Sequence, residues 1–466
     1  LTLTNAQLGG ALSGAGTIVL SSGTSSLVTG VSSTGNLSLS GAALTVNDNV
    51  SIGGTLAFSS GIINGTGDLS STGTLNWTGG LMTGTGKTIA AGTMVLNTNG
   101  AAVDALYLDG GRTLENRGVA QWKQGTIELN GTGAGTAGSG KLVNAATGSF
   151  DLQLTGGYTI NAANRGGTDT GTDGLVQNFG LLKKTGNASN AIVTRFESSG
   201  SIDLTAGTLT LNGGGTQSGS IKTAAGAVLA LIGGTHTVSG ASLVDALSTV
   251  RVAGSADVTL ASNWTTPGNI ELQSGTLRTD AQITVFNFTQ SGGTLSGVGS
   301  LTVNGALAWS GGTMSGSGKT IAAGTMVLNT TGAAVDALYL DGGRTLENRG
   351  VAVWKQGTIE LNGTGAGTAG SGKLVNAATG SFDLQLTGGY TINAANRSSG
   401  DTGTDGLVQN FGTFKKTGNA GNAIVARFEH NSGTLDVQVG TLTLTNAQLG
   451  GALSGAGTIV LSSGTS

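Results

Sequence analysis

The stretch GGTLSGVGSLTVNGALAWSGGTMSGSGKTIAAGTMVL at residues 292–328 contains the same turn twice. The pattern Gly-Gly-x-x-Ser/Thr-Gly-x-Gly occupies Gly292–Gly299 and returns after a short interval at Gly311–Gly318. Each copy is followed by a run in which apolar and polar residues alternate, such as SLTVNG, and this alternation is typical of short β-strands. Turns that return at a fixed, short spacing predict a solenoid with one coil per repeat.

The same turn occurs elsewhere in the chain, together with a second kind of turn. Further copies lie at Gly9–Gly16, Gly79–Gly86 and Gly450–Gly457, and a degenerate copy lies at Ser60–Gly67. Turns of the form Asn-x-Gly begin at Asn116, Asn178, Asn348, Asn410 and Asn431. Gly and Asn tolerate the positive φ of sharp corners. The sequence therefore predicts an all-β chain folded as a parallel β-helix with coils of about 20 residues, whose stacked Asn corners form amide ladders. Immunoglobulin-like sandwiches repeat near 100 residues instead.

Two long repeats lie above this short period. Residues 77–197 align without gaps with residues 309–429 and differ from them at 13 of 121 positions. Residues 1–25 recur unchanged as residues 442–466. We therefore expect residues 1–466 to form one continuous β-solenoid, and to be a window of a tandem array whose unit is about 441 residues long.

The composition favours ordered β-structure over a disordered chain. Of the 466 residues, 87 are Gly, one is Pro and none is Cys, and 10% are charged. Disordered segments are poor in apolar residues, whereas this chain is 37% hydrophobic. The lack of Cys excludes disulfides and thiol catalysis. A net charge of −3 predicts no nucleic-acid partner, and no apolar stretch reaches the roughly 18 residues of a membrane-spanning helix.

Residues suited to catalysis are scarce, and we expect neither enzymatic activity nor a cofactor. His236 and His430 are the only histidines, and neither recurs in the long repeat, which argues against a catalytic triad or a zinc site. One charged cluster does recur: Asp104, Asp109, Arg112 and Glu115 return as Asp336, Asp341, Arg344 and Glu347. We interpret this cluster as a solvated insertion with local ion pairs. The remote alternative is an acid/base or sugar-binding patch of a polysaccharide-active β-helix enzyme.

A glycine-bent acidic loop is the candidate metal site. Asp169-Thr-Gly-Thr-Asp173-Gly174 recurs at residues 401–406, and oxygen-rich loops of this kind bind calcium. The candidate ligands are Asp169, Asp173, Asp401 and Asp405. Because the loop lacks a third carboxylate and the bidentate Glu of an EF-hand, a solvated loop is the favoured interpretation.

Five aromatic residues also recur. Trp77, Trp122, Phe150, Phe179 and Phe196 return as Trp309, Trp354, Phe382, Phe411 and Phe428. We interpret them as buried side chains that fill wider coils, whereas an exposed row of aromatic rings would stack on sugars.

Segments 292–328 and 431–461 resemble the β-strand repeats of giant bacterial surface proteins, namely autotransporter passengers and filamentous-haemagglutinin-like exoproteins. The resemblance covers nearly the whole chain, but it rests on composition and specifies fold better than function. It implies a right-handed parallel β-helix that is exported to the cell surface and acts in adhesion, biofilm or fibre formation.

The expected function is therefore structural: an extracellular β-solenoid fibre or stalk of a bacterial cell surface. Its expected partners are copies of itself, joined end to end or laterally. The alternative is an adhesin whose loops at residues 162–175 and 394–407 bind glycans or another cell surface.

Overall fold

The computed structural model describes residues 1–98, 100, 105–131, 138–165, 169–240, 242–243, 245–332, 337–363, 370–396 and 402–462. These residues contain no helix, and hence none long and apolar enough to cross a membrane. The chain divides into two compact units, Leu1–Thr235 and His236–Ser466. Within each unit the strands stack in parallel ladders, so that successive coils of the chain lie above one another.

Each coil of the first unit contributes one strand to each of three ladders. Ladder one contains Thr2–Thr4, Thr17–Ser22, Asn36–Val46, Thr55–Asn64, Thr74–Trp77, Thr93–Asn97, Val119–Gln124, Ser149–Leu152, Leu181–Lys184, Ser201–Leu204 and Ser220–Thr223. Ladder two contains Gln7–Leu8, Thr24–Leu27, the second halves of Asn36–Val46 and Thr55–Asn64, Leu81–Met82, Ala105–Leu108, Thr126–Glu128, Thr159–Asn161, Ser189–Ile192, Thr208–Leu211 and Val228–Leu231. Ladder three contains Ala11–Leu12, Ser32–Ser33, Val50–Ile52, Leu69–Ser71, Lys87–Ala90, Thr113–Asn116, Lys141–Asn144, Leu175–Asn178, Arg195–Ser198 and Gly215–Gln217.

The second unit has the same three-strand coil. Ladder four contains Thr249–Val252, Asn269–Leu272, Asn287–Gln290, Ala306–Trp309, Thr325–Asn329, Val351–Gln356, Ser381–Leu384, Thr413–Lys416, Thr434–Val437 and Ala452–Ser454. Ladder five contains Asp257–Leu260, Thr276–Thr279, Thr294–Ser296, Thr313–Met314, Ala337–Leu340, Thr358–Glu360, Thr391–Asn393, the first halves of Asn422–His430 and Thr441–Leu449, and Thr458–Leu461. Ladder six contains Trp264–Thr265, Ile283–Val285, Ser300–Val303, Lys319–Ala322, Thr345–Asn348, Lys373–Asn376, Leu407–Asn410 and the second halves of Asn422–His430 and Thr441–Leu449. Two further strands, Thr235–Val238 and Ser242–Leu243, lie where the units divide.

The core lies between the three ladders and is built from the inward residues of each strand. In Thr74–Trp77 the inward Leu75 and Trp77 are fully buried, while their neighbours are partly exposed. The parallel register places Phe58, Trp77 and Leu96 above one another, and the rings of Phe58 and Trp77 stack with centroids 6.3 Å apart. Apolar side chains therefore contact apolar side chains along the stack, and neighbouring coils bury the apolar surface that a single coil would expose.

Buried amides also stack, at the ends of three successive strands of ladder three. Asn116 Nδ2 donates to Asn144 Oδ1 at 2.8 Å, Asn144 Nδ2 donates to Asn178 Oδ1 at 2.7 Å, and Asn178 Nδ2 donates to Ser198 Oγ at 3.0 Å. Ladder six repeats the arrangement with Asn348, Asn376, Asn410 and His430. The predicted amide ladders are thus confirmed.

The prediction of an all-β parallel β-helix is confirmed, but the coils vary in length. In ladder one Thr74 pairs with Thr55, a spacing close to the one that the sequence predicts. The coils then lengthen, because Thr93 pairs with Val119 and Val119 pairs with Ser149. The coil that joins Ser149 to its partner Leu181 is longer still. These longer coils carry insertions at their corners, and the insertions contain the candidate functional residues.

Candidate functional site

Two long loops lie at one corner of the first unit, between ladder two and ladder three. Loop 129–140 follows the strand Thr126–Glu128, and loop 162–174 follows Thr159–Asn161 in the next coil. The second unit has equivalent loops at 361–372 and 394–406. We call these four segments the corner loops; they include the regions that the sequence suggests for glycan binding.

Hydrogen bonds tie each pair of corner loops together. Asn130 Nδ2 donates to the carbonyl of Ala163 at 2.6 Å, and Arg165 Nε donates to the carbonyl of Asn130 at 2.8 Å. The Ala163 N–H donates to Glu128 Oε1 at 2.8 Å. In the second unit, Asn362 and Ala395 form the bond equivalent to Asn130–Ala163, also at 2.6 Å. These hydrogen bonds therefore fix the positions of the described residues at the bases of the loops.

Glu128 lies at the base of these loops and is buried. Burial raises the pKa of its carboxyl above the usual value, although the N–H groups of Ala163 and Asn130 partly offset this by stabilising the charged form. Because both of those donors are backbone groups of the corner loops, Glu128 serves to fix the path of the loops.

The two calcium candidates of the first unit, Asp169 and Asp173, differ in their hydrogen bonding. Asp173 Oδ2 accepts a hydrogen bond from the Ser139 N–H at 2.9 Å, which ties the second loop to the first. Burial alone would raise the pKa of Asp173, but the hydrogen bonds from Ser139 outweigh it and lower that pKa. Asp169 is buried, and its Oδ2 has no hydrogen-bond partner among the described residues.

In the second unit, Asp405 repeats the bond of Asp173, accepting from the Ser371 N–H at 2.9 Å. Asp401 lies outside the described residues. Within the described part of the chain, no three His, Cys, Asp or Glu side chains lie close enough to hold one metal ion. Calcium binding by Asp169, Asp173, Asp401 and Asp405 therefore stays the less favoured alternative, and the observed role of Asp173 and Asp405 is to tie the loops together.

The recurring charged cluster is not the solvated insertion that the sequence suggests, because Asp109 and Arg112 are both fully buried. Arg112 Nε donates to Thr88 Oγ1 at 2.9 Å, and its terminal nitrogens donate to the carbonyls of Thr83 and Lys87 at 3.2 and 3.1 Å. Burial lowers the pKa of Arg112 to about 10. The guanidinium thus stays charged at neutral pH and is solvated by the backbone of the preceding coil.

Glu115 belongs to a different environment from Arg112. Its carboxylate pairs with Lys87 at 3.4 Å and with Arg117 at 2.5 Å on the outer side of ladder three. Burial opposes ionisation of Glu115, but the bonds from Arg117 and Lys87 prevail and lower its pKa. The prediction of local ion pairs is thus correct for Glu115 and for its counterpart Glu347, which pairs with Arg349 and Lys319. Asp104 and Asp336, the remaining acidic members, lie outside the described residues.

The two histidines are buried in the second unit. His430 ends the amide ladder, where its Nδ1 lies 3.0 Å from Asn410 Nδ2 and its Nε2 lies 3.0 Å from the carbonyl of Ala452. Because Asn410 Nδ2 can only donate, Nδ1 accepts and the proton resides on Nε2. His430 is therefore part of the core hydrogen-bond network.

Buried positions account for most of the recurring aromatic residues. Trp77, Trp122, Trp309 and Trp354 are fully buried, as are Phe196, Phe382 and Phe428. Their interpretation as fillers is confirmed, with the exceptions of Phe179, of which 46% is exposed, and of its counterpart Phe411, which is partly exposed.

Lys184 is a buried residue that sequence reasoning overlooked. Its Nζ donates to the carbonyl of Gly186 at 2.7 Å and to Asn190 Oδ1 at 2.9 Å, and burial lowers its pKa to about 8. The available signal was alternation: Leu182 points inward, so the residue two positions later does as well.

The described parts of the corner loops are thus hydrogen-bonded structural elements, and the described charged residues do not assemble a metal centre. Comparison with known proteins adds no assignment: no family model, no curated protein and no solved structure matches this chain.

Proposed function

We propose that this chain is a section of a structural β-solenoid fibre or stalk, built from long tandem repeats and exposed on a bacterial cell surface. The observation that carries the proposal is the pairing of the duplicated 25-residue segment. In the first unit Thr2 and Leu3 pair with Val19 and Leu20. The identical residues of the second unit, Thr443 and Leu444, pair with Val460 and Leu461. The duplicated segment thus forms the same pairing between its own strands in both units.

The second copy of this segment also accepts a neighbouring coil on its other side. Leu442, Thr443 and Leu444 pair with Asn422, Ala423 and Ile424 of the preceding coil. A segment that pairs in parallel on both sides lets a stack of coils continue through it. This favours a molecule lengthened by repetition, in which a repeat of about 441 residues recurs along one axis.

The expected partners are copies of the same protein, arranged end to end or laterally. The open edge of a parallel stack presents unpaired backbone groups that another stack of the same kind can complete. With 10% charged residues and a net charge of −3, the molecule offers little electrostatic repulsion against lateral contact.

Electron microscopy of the native full-length material tests the fibre proposal. Ladder one of the first unit advances ten coils between Thr2 and Ser220, or about 22 residues per coil. A repeat of about 441 residues then spans about 20 coils, and at ~4.8 Å per coil the axial repeat is about 96 Å. Uniform fibres with this repeat support the proposal. Discrete rods that end in a globular tip contradict a continuous fibre and favour a stalk that carries an adhesin, and compact particles without an axial repeat contradict both.

A second candidate function is adhesion through the corner loops, which bind glycans or another cell surface. It is favoured by the geometry of the described residues at the base of one loop pair, where Asn130, Ala163 and Arg165 form a preorganised polar cluster. Selective binding on a glycan array that Arg165→Ala abolishes would support adhesion. Binding that is unaffected by Arg165→Ala would exclude this loop pair as the binding site.

We also propose that the chain is not an enzyme. Asp109, the acidic residue best suited to a polysaccharide-cleaving site, is fully buried beside the corner loops. Polysaccharide turnover that Asp109→Ala and Asp341→Ala both abolish, without loss of folding, would overturn this view.

A further inference from the structure

An exposed phenyl ring separates two shallow depressions on the first unit. Phe179 follows the buried Asn178, the last residue of the ladder-three strand Leu175–Asn178. The exposed fraction of Phe179 is 46%. One depression is lined by Lys87, Glu115, Lys141, Val143, Gln177 and Phe179, among other residues. The other is lined by Phe179, Glu197, Ser199, Thr216 and Ser218, together with Ser198.

The backbone that carries the ring is anchored at the buried amide ladder. The Phe179 N–H donates to the carbonyl of Asn144 at 2.8 Å, and both Asn144 and Asn178 belong to the buried amide ladder. A backbone anchored in this way loses little conformational entropy when a ligand packs against the ring. The exposed ring is thus presented ready for contact.

The polar groups around the ring are those that hydrogen-bond hydroxyl groups. Gln177 Nε2 donates to Glu197 Oε2 at 3.0 Å, and this amide–carboxylate pair lies beside the ring. Ser199, Thr216 and Ser218 add hydroxyl groups to the second depression. An aromatic face beside amide, carboxylate and hydroxyl groups suits a ligand that is apolar on one side and rich in hydroxyls at its edge, as a sugar ring is.

The charges around the first depression cancel. Lys87, Arg117 and Lys141 carry three positive charges. They are matched by Glu115, which pairs with Lys87 and Arg117, by Asp68, whose carboxylate accepts from the Lys87 N–H, and by Asp173, which interacts with Lys141. A surface with this balance offers no net attraction to a polyanion. The ligand that fits is uncharged.

We propose that Phe179 and the two depressions beside it form a binding site for a neutral glycan. The sugar ring packs on Phe179 while its hydroxyls bond to Gln177, Glu197 and the neighbouring hydroxyl groups. This site is separate from the corner loops and is independent of whether the molecule forms fibres.

The test uses the full chain on immobilised neutral oligosaccharides (β-glucan, mannan and galactan) and on polygalacturonate as an acidic probe. We expect binding to at least one neutral glycan, and we expect Phe179→Ala to weaken it by about tenfold, the loss of about 1.4 kcal/mol. Phe286→Ala is the matched control, because Phe286 is 47% exposed but lies in the other unit. Phe179→Tyr should retain binding, since the ring remains.

Four outcomes would overturn the proposal: no neutral glycan is bound, Phe179→Ala leaves binding unchanged, Phe286→Ala weakens it equally, or only polygalacturonate is bound. Binding that Arg165→Ala abolishes and Phe179→Ala does not would move the glycan site to the corner loops. Unchanged thermal unfolding of Phe179→Ala and Phe179→Tyr shows that each variant is folded.

Discussion

At the scale of single residues, buried polar side chains join successive coils through hydrogen bonds that apolar side chains cannot form. Asn144 is the central example, because it accepts from Asn116 and donates to Asn178. Its Nδ2 also donates to the carbonyls of Leu181 and Gly148. A leucine at this position would fill the space, but it would leave the amides above and below without partners.

We expect Asn144→Ala to destabilise the first unit by about 2–4 kcal/mol, because it leaves buried donors and acceptors unpaired on both sides. The measurement is thermal or denaturant unfolding of the whole chain. Asn304→Ala is the control, since Asn304 is exposed. Equal melting temperatures for the two variants would contradict a stabilising role of the amide ladder.

Lys184 predicts a dependence of stability on alkaline pH. Its pKa is lowered from 10.5 to about 8 by burial, so the folded chain releases this proton at a lower pH than the unfolded chain. Between pH 8 and 10.5 the unfolded state binds more protons, and the free energy of unfolding therefore rises with pH through the contribution of Lys184.

We accordingly expect the stability of the native chain to rise relative to that of Lys184→Met between pH 7 and pH 10, because only the native chain carries the titrating amine. Unfolding of both proteins at the two pH values measures this. Lys183→Met, which changes the outward neighbour, is the control. A stability difference between Lys184→Met and the native chain that does not change with pH would refute the assignment.

At the scale of structural elements, the close stacking of turns restricts which residues fit at the corners. A Cβ added to Gly118 would lie 1.9 Å from the carbonyl oxygen of Gly92 in the coil below, and one added to Gly350 would lie 1.8 Å from that of Gly324. The Asn-x-Gly turns therefore need glycine because of the backbone beneath them.

Gly118→Ala should cost about 1–3 kcal/mol, since the turn has to move away from its neighbour. Gly421→Ser is the matched control, because nothing lies within 4 Å of a Cβ at Gly421 and the equivalent position of the first unit carries Ser189. Comparable melting temperatures for both variants would show that the stack adapts to a larger turn.

The corner loops give a prediction about calcium. Asp173 and Asp405 already accept hydrogen bonds from Ser139 and Ser371, so a cation would have to displace these bonds. We expect millimolar calcium to leave the melting temperature unchanged. A clear rise that Asp169→Asn abolishes would instead identify Asp169 as a calcium ligand.

The sequence predicts the elements well and the interior charges poorly. Turn spacing and alternation identify the coils, because both follow from local backbone preferences. They also mark Asn116 and Asn178 as corners, but they miss Asn144, which is not followed by the Asn-x-Gly pattern. The burial of Arg112 leaves no trace in the sequence, because its carbonyl partners come from the folded backbone. The burial of Lys184 follows from the alternation of its strand, but its partners likewise come from the fold.

At the scale of the whole chain, each unit advances by the same average coil. Ten steps of ladder one cover Thr2 to Ser220, and nine steps of ladder four cover Thr249 to Ala452. Both give about 22 residues per coil, which sets the axial repeat expected of a fibre. Stability in such a stack is a sum over neighbouring coils, so the proposed repetition adds length without a new kind of core.

The buried arginines make their coils depend on the preceding part of the chain. Every described partner of the Arg112 guanidinium precedes it in sequence, from Gly65 to Thr88, and Arg344 likewise bonds only to Gly297, Ser315, Lys319 and Thr320 among the described residues. An unsolvated guanidinium is too costly to bury, so a coil that holds one depends on the coils that precede it in the chain. The two arginine coils thus make the stack asymmetric along the chain, because the described hydrogen bonds of each guanidinium all lead back towards the amino-terminal side.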